Sequence, residues 1–97
     1  MRQFNDIAKI LALLKNGLHD RYGVSALEVF GSYVRGEQKE SSDLDVLVEF
    51  DKPIDLLELV GLEMYLSEKL GVKVDAVIKR SIRSELRDAI LKEAVAV

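Results

Sequence analysis

Ninety-seven residues, with 17 acidic against 14 basic side chains, a formal charge of -3 and 48% hydrophobic content, give room for one domain, residues 1–97, and for an ordinary apolar core. The longest apolar run, Ile10 to Leu14, is far short of the about 20 residues that span a bilayer, and the opening MRQFNDIAKI lacks the apolar stretch of a signal peptide, so no membrane contact and a cytoplasmic location are expected. With no cysteine and a single histidine, His19, any bound metal must sit on oxygen, which points to hard cations, and the acidic balance excludes a general nucleic-acid binder.

In chain order, Phe4, Ile7, Leu11, Leu14 and Leu18 recur at steps of three and four, which predicts an amphipathic helix over residues 6–22 with Asn5 or Asp6 as N-cap and Gly23 as stop. The run Ala26 to Phe30 reads as a short buried strand ending at Gly31-Ser32, and a brief helix or turn is expected over Tyr33 to Gly36. Leu44, Val46, Val48 and Phe50 alternate with Asp45, Leu47 and Glu49, the period-two pattern of a second strand that Pro53 closes. Asp55 can cap a helix carrying Leu56, Leu59, Val60, Leu62, Leu66 and Leu70 on a broad apolar face, with Gly71 as its stop. Val72 to Ile78 alternates as a third strand. Ser81 or Ser84 is expected to cap a last helix that turns Ile82, Leu86, Ala89, Ile90 and Ala94 inward. The order α-β-α-β-α-β-α predicts the α/β class, a small sheet flanked by helices.

Charge is unevenly spread along these elements. Glu37, Glu40, Asp43, Asp45, Glu49, Asp51, Asp55, Glu58 and Glu63 face only Lys39 and Lys52, whereas Lys79, Arg80, Arg83, Arg87 and Lys92 dominate the last helix. The basic run is either a solvated face or one turned to a phosphate or a partner.

Within the acidic stretch the hydrophobic pattern leaves three carboxylates unexplained. Asp43 and Asp45 are two apart and so share one side of an extended segment, about 6–7 Å from each other, while Asp75 lies out of phase with the apolar face of its own strand. Carboxylates that converge at a sheet edge repel one another, and divalent cations offset that repulsion. Upstream, Gly31-Ser32 followed by Arg35-Gly36 presents backbone N–H groups, a hydroxyl and a guanidinium suited to a phosphate. Two uses are open to Arg35: a phosphate, or a local salt bridge to Glu37 or Asp43. Tyr33 is expected to pack beside the glycine turn, and His19 receives no role.

The stretch GSYVRGEQKESSDLD, Gly31 to Asp45, fits G-S-x10-D-x-D, and with ordinary residue frequencies about one chain of this length in a thousand would do so by chance. On that motif, with KVDAVI some thirty residues on, the sequence resembles the nucleotidyltransferase superfamily that includes polymerase beta. More narrowly, GSYVRG, SSDLDVLVEF, VDAVI and the closing SIRSELRDAILKEAVAV are similar to the minimal nucleotidyltransferases of prokaryotes. Val34 stands where that family commonly has a small residue.

The resemblance implies the minimal nucleotidyltransferase fold with a small mixed sheet. It implies that Gly31 and Ser32, with Arg35, bind the β- and γ-phosphates of ATP, and that Asp43, Asp45 and Asp75 are both catalytic and metal-binding, holding two magnesium ions with Asp75 as candidate base. It further implies an antitoxin that transfers AMP to a hydroxyl, expected to be a tyrosine, of a HEPN-domain toxin. A chain this short brings no second substrate domain, so the acceptor is expected to be a protein, with a homo-oligomer or a hetero-oligomer with the toxin protecting the sheet edges. Neutralisation by binding alone, with a vestigial nucleotide site, and transfer to a small molecule are the competing readings.

Overall fold

The computed structural model describes residues 3–97. Helix α1 (Phe4–Tyr22) leads into strand β1 (Val24–Phe30), the one-turn helix α2 (Ser32–Arg35), β2 (Leu44–Phe50), α3 (Leu56–Leu70) and β3 (Val74–Ile78). A short 3-10 turn, Lys79–Ser81, then precedes α4 (Ser84–Glu93) and a two-residue strand, β4 (Val95–Ala96). The seven expected elements are present in the expected order, and β4 completes a four-stranded sheet of order β3-β2-β1-β4. The sheet is mixed: β1 runs antiparallel to both β2 and β4, and β2 runs parallel to β3.

The long helices follow from their apolar stripes. Ile7, Leu11 and Leu18 of α1 and Leu62, Leu66 and Leu70 of α3 are buried against Leu27 and Val29 of β1, Leu44, Val46 and Val48 of β2, and Val74 and Ala76 of β3. The alternation in β2 therefore works as read, turning Asp45, Leu47 and Glu49 to the opposite face. Leu47 is buried all the same, so that face is also partly covered. Lys79 spans Glu28 at 3.6 Å and Glu49 at 3.8 Å, an ion pair linking the 3-10 turn to β1 and β2.

Several boundaries differ from expectation for local reasons. Helix α1 begins earlier, with Gln3 as N-cap; Asp6 sits in the first turn, where its carboxylate accepts from the Gln3 backbone N–H at 3.3 Å. Asp55 does cap α3, accepting from the Glu58 N–H at 2.8 Å. The apolar face of α3 is narrower than six residues, since Leu56 and Val60 are exposed. At about 100° per residue, Val60 stands about 160° around the helix from Leu62, and Leu56 about 120° away. In α4 neither Ser81 nor Ser84 is the cap: Arg83 occupies that position without a side-chain hydrogen bond, and Ser84 is already helical. Leu86 and Ala89 are exposed, and no residue of α4 is fully buried, because α4 lies outside the cluster that joins α1, α3 and the sheet.

Edge strand β3 is held by more than its partner β2. The Val74 N–H donates to Ser67 Oγ at 2.9 Å and the Ala76 N–H to Glu63 Oε2 at 2.7 Å, so two outward-facing backbone donors end on α3 side chains. Ser67 in turn donates to the Glu63 carbonyl at 2.7 Å. These bonds fix the strand that carries Asp75.

Packing at this core predicts a contrast within α3. Leu66→Ala should cost about 2–5 kcal/mol, as deletion of a fully buried leucine does, whereas Leu57→Ala, on a side chain 82% exposed, should stay within about 0.5 kcal/mol. Urea denaturation of the two variants checks both.

Candidate active site

The antiparallel register of β1 and β2 pairs Phe30 with Asp45, so the turn that leaves β1 starts beside the second aspartate of the D-x-D. Gly31 takes φ 84° and ψ -156°, a backbone conformation that side chains rarely adopt. A Cβ on Gly31 would also collide with the Asp45 carboxylate. Both facts require glycine, and together they explain why the G-S and the D-x-D belong to one motif. The ten residues between them carry the rest of α2, which Ser32 opens, and the loop that returns the chain to β2.

On the other side of Asp45 the parallel pairing of β2 and β3 sets Asp45 opposite Asp75. Asp43 lies just before β2, with Lys73 Nζ 3.9 Å from its carboxylate. Burial pushes the Asp45 carboxyl up to about 6, and repulsion from Asp75, then Asp43, then Glu93 adds to the rise, while the Arg35 guanidinium opposes it. Asp75 and Asp43 thus both act on Asp45 at one end of the sheet. Among the described residues no three histidine, cysteine or acidic side chains form a ready-made metal site. The donor set, three carboxylates and nothing softer, nonetheless suits a hard cation, and positive charge there would relieve the strain on ionised Asp45.

Ser32 opens α2 next to Gly31, and Tyr33 is 3% exposed and part of the core, the packing role expected for it. Arg35 pairs with Glu37 at 2.6 Å and with Glu93, rather than with Asp43. The hydrogen bonds to Glu37 and Glu93 raise its pKa further and hold it charged. His19 lies away from this cluster, with Nε2 2.7 Å from the Asp51 carboxylate.

Glu93 is the residue that sequence reasoning missed. Its carboxylate accepts from the Gly31 backbone N–H at 3.1 Å and from Arg35, which ties the end of α4 to the turn after β1. One signal was available: an acid on the last residue of a helix opposes the macrodipole, and a cationic partner offsets that cost. Nothing in the sequence names that partner, which is 58 residues away.

A mixed sheet with a Gly-Ser turn set against aspartates on adjacent strands defines the class, a nucleotidyltransferase. The family model for the nucleotidyltransferase domain matches residues 11–97, and the chain belongs to that family. It is 45% identical to the protein adenylyltransferase MntA of Thermococcus cleftensis over 95 residues, 98% of this chain and 96% of that one, which places it among enzymes of the protein adenylyltransferase type. A solved structure assigned as a minimal nucleotidyltransferase superposes with a TM-score of 0.76 at 38% identity, covering 95% of this chain and 96% of the other. A toxin-antitoxin crystal structure with AMP-PNP gives a TM-score of 0.74 at 27% identity, with 93% and 70% covered. The Shewanella oneidensis MNT antitoxin, in complex with its tri-AMPylated HEPN toxin, shares the fold at 23% identity and a TM-score of 0.67, with 98% and 71% covered. Among the described residues no helix is long and apolar enough to cross a membrane.

Two outcomes follow from this geometry. Gly31→Ala should destabilise the fold by about 1–3 kcal/mol through its positive φ alone, with the collision against Asp45 added, measured by urea denaturation. Metal-free protein should show Asp45 titrating near pH 6 in carboxyl NMR spectra, with the midpoint falling in Asp75→Asn. Because the folded value lies above the usual about 4 of an unfolded aspartate, this group favours folding fully below pH 4, and that contribution is lost as pH rises through 6.

Proposed function

We propose that the protein is an antitoxin that transfers AMP from ATP to a hydroxyl, expected to be a tyrosine, of a HEPN-domain toxin and thereby silences it. One observation carries this reading: the register that sets Gly31 and Asp45 side by side, with Asp75 opposite. The AMP-PNP-bound toxin-antitoxin structure and the AMPylated HEPN toxin bound to its antitoxin support the choice of donor and acceptor.

In this reading Gly31, Ser32 and Arg35 receive the β- and γ-phosphates. Gly31 sets the backbone of the turn and leaves room for the Asp45 carboxylate beside it, Ser32 offers its hydroxyl, and Arg35 its charged fork. Asp43, Asp45 and Asp75 would hold two magnesium ions, which supply charge neutralisation at the phosphates and activation of the acceptor oxygen. Asp75, exposed on the edge strand, is the candidate base for the proton of the incoming hydroxyl. The acceptor oxygen forms a bond to the α-phosphorus, the bond from that phosphorus to the bridging oxygen breaks, and pyrophosphate leaves.

The test uses the parent and an Asp43→Ala/Asp45→Ala double variant, each incubated with magnesium, ATP and the cognate HEPN protein. Intact mass should show AMP-sized increments on the HEPN chain with the parent and none with the variant, and the variant should fail to neutralise the toxin. Neutralisation at parental level by the double variant would overturn the enzymatic account in favour of steric inhibition.

A further inference from the structure

Glu93 bridges two groups that the phosphate reading relies on. Its carboxylate accepts from the Gly31 N–H at 3.1 Å and from Arg35 Nη1, and its side chain is only 22% exposed. Of the five N–H donors of a guanidinium, one is taken by Glu93 and the Nε donor by Glu37 at 2.6 Å, which leaves three. The two carboxylates hold the guanidinium at Nε and at Nη1, on different edges, and so fix its plane. Glu93 occupies a poor electrostatic position at the end of α4, and Arg35 and the Gly31 N–H offset that cost.

We propose that Glu93 is a positioning residue for the nucleotide: it orients Arg35 and the Gly31 turn so that the remaining guanidinium donors meet the triphosphate. Gly31 then contributes its missing side chain rather than its N–H, which Glu93 has engaged. Loss of the carboxylate frees the guanidinium to follow Glu37 alone and leaves the Gly31 N–H without its acceptor. A substrate that lacks the β- and γ-phosphates has no use for this arrangement.

Equilibrium binding separates the possibilities. The full-length parent, Glu93→Ala, Glu93→Gln, Arg35→Ala and the Glu93→Ala/Arg35→Ala pair are titrated with MgATP and, by competition, with AMP, each variant first shown folded by circular dichroism. Glu93→Ala should weaken MgATP about tenfold, the scale on which loss of an orienting partner acts, and change AMP less than twofold. Glu93 accepts through one oxygen from Gly31 and through the other from Arg35, so Glu93→Gln, with a single acceptor oxygen, keeps one of the two bonds and should recover only part of the loss. The pair should bind MgATP no worse than Arg35→Ala within twofold, because Glu93 acts through Arg35. Tighter MgATP binding by Glu93→Ala would show instead that the carboxylate competes with phosphate, and equal losses for MgATP and AMP would show a merely structural tie; either result overturns the proposal. The inference rests on Arg35 as a phosphate ligand: unchanged MgATP binding in Arg35→Ala sinks that reading itself, whereas a weakened Arg35→Ala beside a parent-like Glu93→Ala sinks only the role of Glu93.

Discussion

A carboxylate packed against a residue with no side chain is the constraint from which the rest of the site follows. Asp45 can face the turn after β1 only because Gly31 leaves the space, and Gly31 meets Asp45 only because β1 and β2 pair antiparallel with Phe30 opposite Asp45. A slip of one residue would send Asp45 to the apolar face among Leu44, Val46 and Val48, where an ionised group is costly. Burial of those three residues under α1 and α3 therefore enforces the register, and the register builds the site.

The same logic extends across the sheet. Asp75 reaches Asp45 by parallel pairing, the weaker of the two ladders, on a strand with no neighbour beyond it among the described residues. Ser67 and Glu63 supply what that edge lacks by accepting from the Val74 and Ala76 N–H groups, and α3 that carries them is anchored by Leu62, Leu66 and Leu70. Core packing thus reaches the third carboxylate through two side-chain hydrogen bonds. The rise of Asp45 comes first from its burial and then from repulsion by the acids gathered around it.

Much of this was legible in the sequence because it is periodic or locally spaced. The D-x-D, the strand phase of Asp75 and the leucine stripe of α3 are short-range patterns with a direct geometric meaning. Three kinds of feature were not legible. Strand β4 is two residues long, too short for any period, and exists because Glu28 and Val29 offer a free edge to Ala96 and Val95. The width of an apolar face depends on what covers it, so Leu56 and Val60 read as core and are exposed. Pairing of Arg35 with Glu93 depends on tertiary placement, and the local candidates Glu37 and Asp43 were the ones in view; Glu37 proved a partner and Asp43 did not.

The last element is held differently from the others. Helices α1 and α3 dock through fully buried stripes, whereas no residue of α4 is fully buried and β4 adds only two paired positions. A segment with so little apolar burial opens more readily than the core. Its fixed points are therefore polar: the Lys79 contacts to Glu28 and Glu49 before α4, and the Glu93 contacts to Gly31 and Arg35 at its end. Because the second of these falls on the turn beside Asp45, docking of α4 and the shape of that turn are coupled. The coupling is reciprocal: docking of α4 stabilises the turn by as much as the formed turn stabilises docking.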